Sequence, residues 1–200
     1  MGTRRAASQR AYQSWGRYPP ATPAAVERLA WRHALPRLRR ERPVLAYGQG
    51  RSYGDACLND GGVLLDTRGL DRFIHFDREA GLLRCEAGVS LGEVLAVVVP
   101  HGWFLPVTPG TKHVTVGGAV ANDVHGKNHH VAGTFGRHVT RLELVRSSGE
   151  RRELTPADDL FRATVGGLGL TGLITWVEFR LQRIASDRIE ALHTPFRSLD

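Results

Sequence analysis

Three glycine-rich segments carry the residue types best suited to binding a ligand. They span 48–55 (GQGRSYGD), 109–130 (PGTKHVTVGGAVANDVHGKNHH) and 166–172 (GGLGLTG). Because glycine has no Cβ, its backbone can approach a ligand closely and reach positive φ, so that successive N–H groups form a concave site for an anion. Thr, Ser, Asn and His side chains lie between the glycines as further donors. The three segments together predict an anion-binding site.

Two familiar phosphate-binding motifs do not account for these segments. The run 167–172 fits GxGxxG, but a predicted helix precedes it and a predicted strand follows it, the reverse of the order that a dinucleotide fingerprint needs. The first segment spaces its glycines one residue too widely. Gly126-Lys127 is followed by Asn128, so GxxxxGK[ST] is absent. The sequence therefore excludes the classical NAD-binding and P-loop motifs.

The HGKNHH motif at 125–130 holds the side chains best suited to proton transfer. The chain has 25 arginines but only two lysines, Lys112 and Lys127, both in the second segment. A lysine is favoured where a compact ammonium that can change its protonation is needed. His125 and His129 have the i, i+4 spacing of helical metal ligands, but Gly126 and the scarcity of nearby carboxylates argue against a metal site. No metal is predicted.

Short strands separated by glycine turns must position these segments. Helices are predicted to begin at Thr22-Pro23, at Ser90 and at Thr155-Pro156, where capping residues precede apolar stripes. Because the strands outnumber the helices and do not alternate strictly with them, the sequence predicts an α+β fold. The predicted strands are 44–47, 63–66, 73–76, 82–87, 139–146 and 173–181.

Composition limits the class of protein and its partners. The 200 residues suit one domain or two small ones, and the longest apolar run, 94–100, is far too short to span a bilayer. The formal charge of +7 comes from residues 1–43, where ten arginines face two glutamates, whereas the remainder is nearly neutral. This basic N-terminal region, 1–43, could contact nucleic acid, anionic lipid or an acidic partner, but a solvated, arginine-rich helix is favoured. No nucleic-acid motif is present, and no nucleic-acid partner is expected.

The N-terminus and the cysteines indicate a cytoplasmic protein. No apolar stretch follows the first arginines, which argues against a secretory signal. Cys57 and Cys85 form no CxxC motif and are expected to be buried, small hydrophobic residues. No transmembrane segment is expected, and peripheral contact with a membrane at the cell envelope stays open.

The order of strands and motifs resembles the FAD-binding domain of the vanillyl-alcohol-oxidase (PCMH-type) superfamily. Within it, 50–55, 115–119 and 125–130 are most similar to the flavoprotein subunits of decaprenylphosphoryl-ribose oxidases. The resemblance implies a two-lobed α+β domain, with a small α/β lobe, a larger antiparallel-sheet lobe and FAD between them. It also implies a separate substrate domain, which these residues lack. We expect a flexible arm over 1–18, an FAD-binding domain over 19–182 (lobes near 19–107 and 108–182), and a connection to the absent domain over 183–200.

The resemblance also assigns roles to individual residues. Arg51 stands where covalently flavinylated relatives place histidine, so the resemblance predicts non-covalent FAD, with the guanidinium available to a phosphate. Tyr53, His125 and Lys127 are implied on the substrate side of the flavin. The residues implied to contact FAD are Gly48, Gly50, Arg51, Ser52, Tyr53, Gly54, Pro109, Gly110, Thr111, Thr115, Gly117, Gly118, Asn122, His125, Gly126, Asn128 and Ile174.

The resemblance implies oxidation of a secondary alcohol of a sugar or polyol-like substrate by hydride transfer to flavin N5. Decaprenylphosphoryl-ribose 2'-oxidation in cell-wall arabinan synthesis is the particular reaction it suggests, with a reductase subunit as a potential partner. A general base and a positive charge near the flavin would be needed. Two alternatives remain open at this point: a flavin-binding remnant or regulatory module without catalysis, and nucleic-acid binding by residues 1–43.

Overall fold

A computed structural model describes residues 12–36, 41–196 and 198. Its first sheet has three parallel strands, and the middle strand pairs with both others. Because the strands are parallel, their carboxyl ends meet at one edge of the sheet, which is where ligands bind in open parallel sheets. These strands are β1 (Ala25–Arg28), β2 (Val44–Tyr47) and β3 (Val63–Asp66), with β3 in the middle.

The second sheet has five antiparallel strands in the order β4-β5-β9-β7-β8. Its central strand is β9, in which every residue but the last is buried. Such a run, buried on both faces, is typical of a strand covered on both sides. The strands are β4 (Phe73–Asp77), β5 (Leu82–Glu86), β7 (Val139–Val145), β8 (Arg151–Leu154) and β9 (Leu173–Arg180). Two further short strands, β6 (Trp103–Phe104) and β10 (Gln182–Arg183), pair with each other.

Four helices join these strands in the described part of the chain. Ser90 caps the first of them with a complete capping box, since its hydroxyl accepts from the Glu93 amide and the Glu93 carboxylate accepts from the Ser90 amide. Thr115 caps the second by accepting from the Gly118 amide at 3.1 Å. Each cap satisfies a backbone donor that would otherwise lack a partner. The helices are α1 (Leu91–Val98), α2 (Val116–Ala121), α3 (His129–Ala132) and α4 (Asp159–Thr164).

The principal core lies between the antiparallel sheet and helices α1 and α2. Leu83, Val94, Ala119, Phe135 and Phe179 are fully buried members of it. Two smaller apolar clusters pack around the parallel sheet. Mixed helices and sheets confirm the α+β prediction at this coarse level. No helix in the described ranges has the length and apolar character needed to cross a membrane.

Two predictions for the N-terminal region are wrong. The predicted helix from Thr22 is instead β1, because the Ala24 amide donates to the Gly62 carbonyl at 2.8 Å and the segment then pairs with β3. The arginines are also not simply a solvated helical face, since Arg32 forms an ion pair of 3.3 Å with the buried Glu86. Arg4, Arg5, Arg10, Arg37, Arg39 and Arg40 lie outside the described residues.

The expected flexible arm is only partly covered, because residues 1–11 lie outside the described residues. Within residues 12–18, Tyr12 and Ser14 are buried, whereas Trp15, Arg17 and Tyr18 are exposed. Tyr12 is buried and its hydroxyl donates to Asp66 at 2.9 Å, while the Trp15 amide donates to the Ser52 carbonyl at 2.9 Å. These contacts attach the segment to β3 and to the first glycine-rich segment.

Candidate functional site

A cavity of about 610 Å³ opens at the carboxyl end of β2 and β3. The segment after β2, Thr67 after β3, and α2 with the residues before it contribute to its wall. Ile174 of β9 and residues from 168–172 complete it. The cavity therefore draws on all three glycine-rich segments, as the sequence predicted.

Most residues proposed from the sequence to bind a ligand line this one cavity. Two segments that are more than fifty residues apart in sequence supply most of them. They are Gly48, Gly50, Arg51, Ser52, Tyr53, Pro109, Gly110, Thr111, Thr115, Gly117, Gly118, Asn122, His125 and Ile174.

The first and second glycine-rich segments touch at Gly48 and Thr115. A Cβ on Gly48 would lie 2.6 Å from the Thr115 Oγ1 atom, closer than real Cβ contacts come. Thr115 is buried and its hydroxyl is already engaged as the cap of α2. Glycine at position 48 is therefore what allows the two backbones to share one cavity.

Several backbone amides that line the cavity have no acceptor among the described residues. The amides of 49–51 and Tyr53 donate no hydrogen bond there, nor do those of Gly110, Thr111 and Gly169, whereas the Ser52 amide donates to the Cys57 sulfur. Gly50 is a buried residue, and buried backbone N–H groups in native proteins are nearly always paired. Unpaired amides that line one cavity from three segments indicate a site for an anionic ligand.

Arg51 is held at the cavity mouth without an acidic partner in the described structure. Its Nη1 atom donates to the Gln49 carbonyl at 2.8 Å, and its guanidinium lies 5.7 Å from the Trp15 ring centroid. These contacts orient the guanidinium while leaving its other N–H groups available to a phosphate.

Two of the three proposed catalytic residues lie at the cavity. Tyr53 is 79% exposed and His125 is exposed, so both side chains are accessible to a substrate. The His125 ring packs edge-on against His129, with ring centroids 5.8 Å apart, and residue 125 bridges to Thr134. These contacts position the His125 imidazole at the rim.

Four residues of the predicted set do not line this cavity: Gly54, Gly126, Lys127 and Asn128. The Asn128 side chain donates to the Pro106 carbonyl at 3.0 Å. A Cβ on Gly126 would collide with the Thr108 carbonyl oxygen. Gly126 and Asn128 thus hold the 106–108 segment in place, whereas Lys127 is exposed.

Sequence reasoning assigned no individual role to a further set of mostly small or apolar lining residues, several of which lie within the glycine-rich segments themselves. Cys57 is among them, and burial raises the pKa of its thiol. Thr67 is fixed by donating to the Tyr47 carbonyl at 3.1 Å. For one group, a position within or next to the glycine-rich segments was the one signal that could have identified them: Gln49, Ala56, Val114, Ala121, Val124, Leu168, Gly169 and Gly172. The others come to the cavity only through the fold: Trp15, Ala46, Cys57, Thr67 and Ala87.

A model of the FAD binding domain family matches residues 24–155. The chain belongs to this family, and the resemblance inferred from the motifs is confirmed. The matched region contains most of the cavity wall, and the cofactor of this domain is FAD.

Individual relatives support the same assignment. The chain is 53% identical over 136 residues to decaprenylphosphoryl-beta-D-ribose oxidase of Mycolicibacterium smegmatis, covering 66% of this chain and 30% of that protein. It is 31% identical over 121 residues to alditol oxidase of a Streptomyces species, covering 60% and 29%. It is 33% identical over 159 residues to a putative D-arabinono-1,4-lactone oxidase of Neurospora crassa, covering 78% and 27%. The matches thus cover less than a third of each of these relatives.

The residues at the cavity fit FAD. The volume of the cavity, about 610 Å³, lies within the range of about 300 to 1,000 Å³ that is usual for cofactor sites. Gly110 lines the cavity, and a Cβ there would meet no protein atom within 4 Å, so the space beside this glycine is open. The unpaired amides suit the diphosphate, while an apolar floor suits the flat ring. That floor is formed by Ala46, Ala87, Val114, Ala121, Val124 and Ile174.

Proposed function

We propose that this chain is the FAD-binding part of an oxidoreductase that oxidises a secondary alcohol of a sugar or polyol-like substrate. The main observation that supports this proposal is that Tyr53 and His125 line the same cavity as the unpaired amides of the glycine-rich segments. Reactive side chains and cofactor donors therefore share one site. The FAD family match and the names of the three oxidase relatives favour oxidation over another flavin reaction.

When bound, FAD accepts the hydride that leaves the alcohol carbon. His125 takes the hydroxyl proton at an imidazole nitrogen as the C–O bond becomes a carbonyl, so that the alcohol loses two electrons and two hydrogens in total. Tyr53, which also lines the cavity, binds and orients the substrate. Lys127 is exposed and lies two residues after His125 in the sequence. In this proposal it supplies positive charge to the active site once a substrate domain closes over the cavity.

Arg51 holds the cofactor by electrostatics and hydrogen bonds rather than by a covalent bond. Arginine cannot form the linkage that a histidine makes, and the Trp15 contact keeps its guanidinium at the cavity mouth. In the finer form of the proposal, the substrate is a glycolipid-linked pentose of the decaprenylphosphoryl-ribose type, and a separate substrate domain and a reductase subunit complete the system. The identity to the Mycolicibacterium smegmatis oxidase supports this form.

The test combines cofactor release with single-turnover kinetics. Acid precipitation of the purified flavoprotein should leave a colourless pellet and a yellow supernatant, and a yellow pellet would contradict the role of Arg51. In the intact enzyme that carries this chain, anaerobic mixing with an alditol or a phosphorylated pentose should bleach the oxidised flavin absorbance. His125→Ala should slow that bleaching by at least about a hundredfold while FAD remains bound. Unchanged bleaching in this variant would remove His125 as the base.

A further inference from the structure

A second cavity, of about 690 Å³, adjoins the FAD cavity on the side of the N-terminal segment. The two cavities share Trp15, Gln49, Gly50 and Arg51, so the 49–51 backbone forms a wall between them. Arg17 and Arg68 line the second cavity and not the first. We call this second cavity the arginine cavity.

The arginine cavity carries uncompensated positive charge. Arg68 is neutralised, because its Nε and Nη2 atoms donate to both oxygens of Asp66 at 2.8 and 2.6 Å. Arg17 makes no side-chain hydrogen bond or ion pair with any described residue, and Arg51 donates only to a backbone carbonyl. No lining residue of this cavity in the described chain is acidic. Two guanidinium groups thus face a common space without a counter-ion.

Backbone donors reach the same space. The amides of 49–51 have no described acceptor, and these residues line both cavities. Gly50 has φ +64°, and a Cβ there would collide with the Gln13 carbonyl and the Tyr47 hydroxyl. The wall is therefore fixed by packing. Two guanidinium groups beside this fixed wall match the several acceptor oxygens of a phosphoryl group better than a single-point anion.

We propose that the arginine cavity binds a phosphoryl group of the substrate, next to the FAD cavity. This inference rests on the proposed function only in assigning the phosphoryl group to the substrate. The positive charge of the arginine cavity does not depend on that assignment. FAD also carries phosphates, and Arg51 lies at both cavities. Arg17 lines the arginine cavity and not the FAD cavity. A change at Arg17 therefore distinguishes a phosphoryl group of the substrate from the phosphates of FAD.

The test titrates inorganic phosphate into the FAD-loaded protein by calorimetry. Phosphate should bind, and Arg17→Gln should raise its Kd about tenfold, a loss of roughly 1.4 kcal/mol for one charge-assisted contact. The FAD affinity of Arg17→Gln should stay within twofold of the parent. Arg180→Gln is the matched control, since Arg180 is exposed at the end of β9 and its side chain makes no hydrogen bond or ion pair with a described residue. It should leave both affinities unchanged.

Three outcomes would overturn the inference. The first is no phosphate binding by either the FAD-loaded or the FAD-free protein. The second is phosphate binding that Arg17→Gln weakens no more than Arg180→Gln does. The third is phosphate binding that FAD loading abolishes, because the phosphoryl group would then be the cofactor's own. Failure of the proposed function looks different: the alcohol substrates would not bleach the flavin, and the phosphate titration would still test the cavity.

Discussion

Gly117 of α2 packs directly on Ala87 at the end of β5. The Gly117 amide donates to the Ala87 carbonyl at 2.8 Å, and a Cβ on Gly117 would lie 2.8 Å from the Ala87 Cβ. Both residues line the FAD cavity. The close approach of α2 to the antiparallel sheet therefore sets the depth of the cavity floor.

Gly117→Ala should destabilise the protein and weaken FAD binding together. The added methyl forces α2 away from Ala87, and overpacking of this kind costs about 1–3 kcal/mol. Urea unfolding followed by circular dichroism measures the first effect and flavin fluorescence titration the second. A variant as stable as the parent would show that α2 is free to move and that this contact does not fix the floor.

Gly110→Ala should separate the two effects. Its Cβ would meet no protein atom within 4 Å, so the free energy of unfolding should change by less than about 0.5 kcal/mol. Because Gly110 lines the FAD cavity, the added methyl should crowd the cofactor, and FAD affinity should fall about tenfold or more. The same two measurements apply. Unchanged FAD affinity would place the cofactor away from the 109–111 segment.

Glu178 should make stability depend on acid pH. Burial opposes its ionisation, but hydrogen bonds from Arg141, Arg84 and Thr140 outweigh that effect and lower the pKa to about 2, from 4.5 when the carboxyl is unperturbed. Because the folded pKa is depressed, the contribution is complete above pH 4.5 and is lost as pH falls toward 2. Urea unfolding at a series of pH values should show a loss of about 2 kcal/mol across that window.

Glu178→Gln provides the comparison for this pH dependence. The variant should be less stable than the parent at pH 7, and its stability should vary less between pH 4.5 and 2. Glu153→Gln is a matched control, because Glu153 also pairs with Arg141 but is half-exposed. Equal pH profiles for the parent and Glu178→Gln would contradict the assignment.

The two cysteines should differ in their response to FAD. Cys57 lines the FAD cavity, whereas Cys85 is fully buried in the principal core. Burial raises the pKa of both thiols, so both should react slowly with iodoacetamide at neutral pH. FAD should slow alkylation of Cys57 further and leave Cys85 unchanged, as followed by peptide mass spectrometry. Equal protection of both thiols would indicate general stabilisation rather than occupancy of the cavity.

Local signals predicted much of the fold. The N-cap predicted at Ser90 is confirmed at the start of α1, and the strand segments at β2, β3, β7 and β9 agree with the structure. The helix predicted at Thr22 failed because a valid local start signal was outweighed by pairing with β3, which a single sequence does not reveal. α2 was predicted as part of a loop because its two glycines disfavour a helix, yet packing on Ala87 requires one of them.

The candidate site divides in the same way. The glycine-rich segments were recognisable because backbone approach requires a particular residue type. Trp15 and Cys57 were not, because their place at the cavity follows from the fold and not from a local pattern. Gly126 and Asn128 resembled site residues by motif, but their contacts with 106–108 are structural.

The most direct test of the account follows backbone amides by ¹H–¹⁵N correlation spectroscopy while FAD is added. The account predicts that the amides of 49–53, Gly110, Thr111 and Gly169 shift together with one Kd, while amides of β8 stay in place. FAD binding without shifts in these three segments, or with its largest shifts elsewhere, would contradict the claim that they hold one diphosphate.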